Sequence, residues 1–311
     1  MSWWQTQPVY PSFNTLEWSA IGNIPKYTPD VNYTIYTFDI KYIDELLTFI
    51  NNNYITGYKI SKNYLYRKIS LKNSISLVLM EKNVIVGFIY SCPINLNNYE
   101  CGYVDLMTVA NNKRKNGLAK ILISAITNYS NKKYYIHKKD KNPLPFPFFY
   151  STKHYTANIN LNYKTHKFNL IETNNNNITM VYNMYKKWLK KQSIQPLVDI
   201  NTFLSTESIK TYFINDFIVS IAIFEFTYGF IRNTKIAELF FINYNIFNYE
   251  LYQSLLYKLK MLDIHFLVVQ DNLFFRDIIK IDNFFESMDL YLHSYNLFIP
   301  NKFNNIQIPV F

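Results

Sequence analysis

One stretch constrains the fold more than any other: Tyr103 to Ile126, reading YVDLMTVANNKRKNGLAKILISAI. Tyr103-Val104-Asp105-Leu106-Met107-Thr108-Val109 is a β-type run, and Ala110 to Asn116 is polar and basic. Leu118, Ile121, Leu122, Ala125 and Ile126 then recur at helical spacing, which predicts a helix opening near Gly117. A strand, a basic turn with one glycine and a helix have a physical use when joined in that order. The glycine lets backbone N–H groups approach a pyrophosphate, the first helical turn offers unpaired donors and a positive dipole, and Arg114 and Lys115 add charge. Arg114-Lys115-Asn116-Gly117-Leu118-Ala119 is therefore a candidate phosphate cradle. The pattern is short, and a solvated basic turn between strand and helix has the same composition.

The elements around it extend the pattern. Ile75 to Met80 and Val84 to Ser91 read as strands joined in a hairpin through Glu81-Lys82-Asn83, and Tyr134-Tyr135-Ile136 as the strand after the helix. The order is β-β-β-α-β. Upstream, four prolines in the first forty residues predict an extended arm, and Tyr42 to Asn53 and Tyr64 to Ile69 predict helices. Pro143, Pro145 and Pro147 punctuate an aromatic-rich connection, and Asn174 to Asn177 a turn, followed by an amphipathic run from Met180 to Leu189. Thr211 to Phe213, Phe217 to Phe226 and Lys235 to Tyr244 read as strands, Tyr249 to Met261 as a helix and Ile264 to Val269 as a strand. A helix over Leu273 to Phe285 and a strand over Leu290 to Leu297 follow. The second half thus repeats the first in architecture without R-x-x-G-x-A.

Composition narrows the function classes. A net charge of +10 over 311 residues suits a polyanionic partner, yet no block of Lys and Arg and no cysteine–histidine finger accompanies it, so nucleic acid is not expected. Cys92 and Cys101 make neither a disulfide framework nor a metal cluster, and the five histidines lack ligand spacing, so no metal is expected. The apolar runs are too short to span a membrane and the start does not read as a signal peptide. A cytosolic protein with reduced thiols is expected. The abundance of Asn, Ile, Lys, Tyr and Phe is the coding bias of an AT-rich genome, which suggests a large DNA virus or a parasite.

R-x-x-G-x-A preceded by three strands is the acyl-CoA loop and core order of the GNAT acyltransferases. Further residues carry a narrower resemblance. Trp3-Trp4-x-Thr6-Gln7-Pro8-Val9 resembles the F-W-x-T-Q-P-V opening of the eukaryotic N-myristoyltransferases. Along the chain, Ile24-Pro25-Lys26-Tyr27, Asn51-x-Asn53-Tyr54-Ile55, Val86-Gly87-Phe88-Ile89-x-x-x-Pro93-x-Asn95, Leu144-Pro145-x-Pro147 and Tyr295-Asn296 resemble that family's segments in order. The resemblance implies an α+β fold in which two GNAT-like halves form one pseudo-symmetric saddle-shaped mixed sheet flanked by helices. Residues 1–172 would bind the acyl-CoA, and 173–311 the acceptor peptide.

It also implies transfer of a myristoyl group from myristoyl-CoA, a cosubstrate with no further cofactor, to the N-terminal glycine amine of a protein, by a monomer. Site residues follow position by position. Leu106 and Met107 would supply the backbone oxyanion hole, and the terminal carboxylate of Phe311 the base. Trp3, Trp4 and the loop Arg114, Lys115, Asn116, Gly117, Leu118 and Ala119 would hold the acyl-CoA, with Tyr58 and Asp271 on the acceptor side. The chain departs from the family where Ile55-Thr56-Gly57-Tyr58-Lys59 replaces an acidic run, and where Phe284 to Asp289 replaces G-x-G-D-G. The threonine of Y-T-A-G has no counterpart near Tyr135 to Lys138. A catalytically impaired acyl-CoA- or lipopeptide-binding relative and another GNAT acyltransferase stay open as alternatives.

Overall fold

The computed structural model describes residues 3–9, 18–54, 58–159, 167–228, 231–243, 249–271 and 284–300. In chain order its elements begin β1 (Ser19–Ala20), β2 (Thr34–Thr37), α1 (Ile43–Asn53), β3 (Tyr58–Lys59), α2 (Lys62–Ile69), β4 (Ile75–Glu81) and β5 (Val84–Leu96). Next come β6 (Tyr99–Val109), α3 (Leu118–Tyr129), β7 (Tyr134–Asp140), β8 (Tyr150–Asn158), β9 (Ile171–Glu172), α4 (Ile178–Leu189) and β10 (Ile194–Pro196). The order ends β11 (Ile209–Ile214), β12 (Phe217–Tyr228), β13 (Ile231–Ile242), α5 (Tyr249–Met261), β14 (Phe266–Gln270), β15 (Phe285–Tyr295) and β16 (Leu297–Phe298). The fold is α+β, with mixed sheet flanked by helices. Described residues within Met1–Thr56, Lys68–Ser151 and Asp289–Asn304 form one compact unit, and those within Gly57–Arg67 and Thr152–Met288 a second.

In the first unit the strand order is β2-β4-β5-β6-β7-β15. Every pairing is antiparallel except β6 with β7, which the helix α3 joins as a crossover. β4 and β5 meet through Lys82 and Asn83, both at positive φ (47° and 67°), the backbone that a two-residue hairpin turn requires. Of the apolar stripe read from the sequence, Leu118, Leu122, Ala125 and Ile126 are the buried face of α3 and, with Ile123, pack with Leu77, Leu79, Val86, Ile89 and Val104, while Ile121 is partly buried against them. At Gly102 in β6 a Cβ would stand 2.7 Å from the Tyr135 ring, so this crossing of β6 and β7 tolerates no side chain.

In the second unit the order is β8-β14-β13-β12-β11-β9, with β3 also on β12. Here β13 and β14 are the parallel pair and α5 is the crossover. β11-β12-β13-α5-β14 therefore repeats β4-β5-β6-α3-β7. One strand is absent from the sequence reading, and two further details complete the comparison. β8 occupies the stretch after Pro147 that reads as a connection, and its alternation of buried and exposed residues is obscured in the sequence by two threonines, a serine and a lysine. The expected helix over Leu273 to Phe285 lies outside the described residues as far as 283, and Phe285 itself opens β15. The proline-rich arm is anchored to its own unit: Asn296 takes the Gly22 N–H at 2.9 Å on its side chain and donates its own N–H to the Pro8 carbonyl at 2.8 Å.

Candidate active site

The parallel pairing of β6 with β7 runs from Cys101↔Tyr134 to Val104↔His137. Beyond that point β6 continues to Val109 and β7 to Asp140, so the two strands diverge. A cavity of about 670 Å³ occupies the divergence, within the range of small-molecule sites. Asp105 to Val109 line one wall, His137 to Asn142 another, and the turn Lys113–Lys115 with Gly117–Lys120 a third, with Trp4 and Leu144 completing it.

The third wall is the predicted cradle. Gly117 caps α3 in the left-handed region (φ 82°, ψ 0°), and Lys115 before it also has positive φ. No side chain caps the N-terminus of α3, so its first N–H groups face outward unpaired within the helix. A Cβ on Gly117 would meet no protein atom within 4 Å, which leaves the space above these donors open. The geometry is that of an anion site. Arg114 has a partner that the sequence does not reveal. Its guanidinium donates to the carbonyl of Asn53, the last residue of α1, while the Asn111 N–H donates to the Asn53 side chain at 2.8 Å. The basic turn is thereby tied to a helix C-terminus, where a cation is favoured.

The first wall carries the strand irregularity. Phe88 pairs with Thr108 but Tyr90 with Asp105, so one residue of β5 faces two of β6 in a bulge. Leu106 sits in it at φ 50°, an uncommon backbone state for a leucine. Its N–H donates to Asp105 Oδ1 at 2.8 Å. Asp105 Oδ2 in turn accepts from Lys68 Nζ at 2.7 Å, and Lys138 Nζ stands 3.6 Å from Oδ1. Burial alone would raise the Asp105 carboxyl. The two ammoniums and the hydrogen bonds from Lys68 and Leu106 outweigh it and hold the group well below the usual carboxylate range.

In the sequence Asp105 reads merely as a strand residue, and nothing marks Lys68 or Lys138. The Lys68–Asp105 contact spans 37 residues, and no local spacing announces it. Of the expected acyl-CoA residues, Trp4, Arg114, Lys115, Gly117, Leu118 and Ala119 share the cavity with Leu106 and Met107; Trp3 and Asn116 are not among its lining residues. Trp3 instead stands edge-on to Trp4 at 4.6 Å, and Trp4 packs on Phe146 at 4.5 Å. Tyr58 and Asp271 belong to the second unit, where Tyr58 meets the Phe224 ring and Asp271 donates its N–H to the Lys153 carbonyl. Phe311 lies outside the described residues. Among the described residues no group of three His, Cys, Asp or Glu side chains is placed to hold a metal ion, and no helix is long and apolar enough to cross a membrane.

His137, on the cavity wall, pairs across strands with His293. Both are buried. His293 Nε2 accepts the Leu144 N–H at 3.1 Å and its Nδ1 faces the Pro147 carbonyl at 3.2 Å, which assigns the proton to Nδ1. Burial pushes His137 down to about 3, with His293 adding to the effect, and burial pushes His293 down to about 4. The folded values lie below the unfolded one of about 6.5, so the unfolded chain binds more protons between them and stability falls as pH drops from about 6.5 toward 4. Urea unfolding at pH 7 and pH 5 should differ by about 2–4 kcal/mol, with His137→Phe removing roughly half of the difference. A flat profile over that window would show that both rings are protonated without cost.

No protein-family model and no curated protein matches the chain by sequence. Solved structures do match. The Saccharomyces cerevisiae N-myristoyltransferase with bound myristoyl-CoA aligns over 96% of this chain and 88% of its own, at TM-score 0.79 and 14% identity. Its form with bound myristoyl-CoA and inhibitors aligns over 99% and 94%, at TM-score 0.78 and 14% identity. A GCN5-related glucosamine N-acetyltransferase region of a fungal multi-domain β-N-acetylglucosaminidase aligns over 89% of this chain and 40% of that one, at TM-score 0.51 and 9% identity. At these identities the likeness is one of fold, and the fold is the one that the yeast N-myristoyltransferase carries.

Proposed function

We propose that this chain is an acyltransferase that moves a myristoyl group from myristoyl-CoA to the N-terminal glycine amine of proteins. The observation that carries the reading is the single cavity in which the bare N-terminus of α3, the left-handed Gly117 and the bulge at Leu106 all open between two diverging parallel strands. A CoA pyrophosphate at the helix terminus would direct its pantetheine arm along the opening toward the bulge. The thioester would then lie beside the backbone of Leu106 and Met107. The yeast structures of the same fold hold myristoyl-CoA, which supports this choice of donor.

Direct attack fits the chemistry available. Burial pushes the Cys92 thiol up to about 11 and the Cys101 thiol up to about 12, so neither is a ready nucleophile near neutral pH. The acceptor's α-amine, with an ordinary pKa of about 7.7–8.0, needs no covalent relay once its proton is removed. The amine nitrogen bonds to the thioester carbonyl carbon, the C–S bond breaks, and the products are an amide and the CoA thiol. The resemblance assigns proton removal to the Phe311 carboxylate, which at about 3.3–3.7 in water acts by holding the ammonium in place as much as by basicity.

One observation favours a second reading, a relative that binds acyl-CoA without transferring it: the Leu106 N–H is already held by Asp105. Incubation with myristoyl-CoA or acetyl-CoA and pools of glycine-terminated peptides, read by mass spectrometry, separates the readings. Myristoylated glycine products support the proposal. Bound but untransferred myristoyl-CoA supports the second reading, and exclusive use of acetyl-CoA a different acyltransferase.

A further inference from the structure

Lys138 is a largely covered cation on the cavity wall with no hydrogen bond among the described residues. Its side chain is 11% exposed, and its contact with Asp105 Oδ1, at 3.6 Å, is too long for a hydrogen bond. Asp105 is already engaged at both oxygens, Oδ2 by Lys68 at 2.7 Å and Oδ1 by the Leu106 N–H at 2.8 Å. An ammonium has three donors and no acceptor, so those of Lys138 are left for whatever occupies the cavity. Lys138 lines the cavity in the opening between β6 and β7, past the last paired residues Val104↔His137. Burial would lower its pKa, but the carboxylates of Asp105 and Asp140 outweigh that and hold it well above its ordinary value, so it stays charged.

We infer that the Lys138 ammonium is a catalytic group, donating a hydrogen bond to the thioester carbonyl oxygen and stabilising the negative charge that forms there. The inference rests on the acyl-transfer reading above. Its place in the cavity selects the carbonyl over the phosphates. The phosphate end has its own donors at Gly117, Arg114 and Lys115, whereas Lys138 stands by Asp105, the immediate neighbour of the bulged Leu106. It also supplies what the bulge lacks. One of the two amides expected to bind that oxygen is occupied by Asp105, and a charged donor compensates for it. In the step itself the amine forms the C–N bond and the carbonyl π pair moves to oxygen. Collapse returns that pair and breaks the C–S bond, whose electrons leave on the CoA sulfur. The nitrogen gives up its proton to the carboxylate base and the thiolate takes one up to become the CoA thiol, while Lys138 keeps its own proton throughout. Asp105 and Lys68 act as positioning residues that fix the ammonium.

The test uses the full chain with myristoyl-CoA labelled with carbon-13 at the thioester carbonyl. In the parent, the infrared carbonyl band of the bound thioester should lie at lower frequency than that of the free one. Lys138→Met should return it to the free position, with acyl-CoA affinity changed less than about threefold and single-turnover transfer reduced roughly 10²-fold. Lys138→Arg should keep part of the displacement. If Lys138→Met does not fold, Lys138→Gln, with its weaker neutral donor, should show a partial return of the band. A band displaced equally in the parent and in the neutral variants overturns the inference, as does a stable acyl-lysine at position 138. If the parent displaces the band but acylates no glycine peptide, the acceptor assignment fails and Lys138 stands. If the parent binds no acyl-CoA, the acyl-transfer reading fails and the role of Lys138 fails with it.

Discussion

In a titration against myristoyl-CoA, Gly117→Val is expected to lose about 10²-fold in affinity relative to the parent. Two backbone donors at the start of α3 account for the size. Each hydrogen bond to a charged group contributes about 1.5–3 kcal/mol, and losing two at the lower figure is a hundredfold. Valine acts in two ways, and they separate. Its β-branched side chain strains a residue at φ 82°, and its methyl groups fill the open space above the donors. Gly117→Asn isolates the second effect, because asparagine accepts the left-handed region while still filling that space. Its melting temperature should match the parent's and its affinity should still fall. Arg114→Ala should weaken binding about tenfold with a reduced dependence on salt, since it removes a phosphate-facing charge. It should also lower stability slightly, because the guanidinium holds the Asn53 carbonyl at the end of α1. Parental affinity in both Gly117 variants would place the pyrophosphate elsewhere.

What the sequence made legible is what neighbours along the chain decide. The strand, basic turn and helix of Tyr103 to Ile126 are local patterns, and so are the hairpin at Lys82-Asn83 and the caesura at Asn174 to Asn177 before α4. The doubled β-β-β-α-β order followed from the same periodicities. The chemistry inside the cavity depends instead on partners distant in sequence. The bulge at Leu106 exists because Phe88 and Tyr90 fix where β6 must absorb an extra residue. The opening between β6 and β7 begins where their pairing ends, which no propensity encodes. His137 faces His293 through strand register alone. Arg114 reads as a free loop cation, yet part of it is committed to a helix terminus that lies 61 residues away. The expected helix over Leu273 to Phe285 lies outside the described residues as far as 283, and Phe285 is the first residue of β15.

Lys68→Met should cost about 3 kcal/mol of unfolding free energy and Asp105→Leu about 3–5 kcal/mol, the scale on which breaking a buried ion pair leaves a charge without its counterpart. The side chains of Lys68 and Asp105 are only 2% and 5% exposed, so water does not substitute for the missing partner. Methionine replaces the lysine stem at similar volume, which confines the effect to the charge. Asp105 then still has Lys138 at 3.6 Å and the Leu106 N–H, which places this loss at the lower end. Asp105→Leu is worse because it removes the counter-charge of two ammoniums and the acceptor of one amide. The double variant should cost less than the sum of the singles by about 1–3 kcal/mol, since the second change removes a charge that the first had orphaned. The pH dependence gives an independent check. The folded pKa of Asp105 lies below its unfolded value of about 3.9, so its contribution is whole above that value and is lost as pH falls through the folded one. The destabilisation by Lys68→Met should therefore be constant from about pH 8 to 5, where the histidine pair changes the stability of parent and variant alike, and should shrink only below about pH 4. Additive single changes, or a cost that disappears in high salt, would mean that the pair is solvated and exerts no hold on the cavity wall.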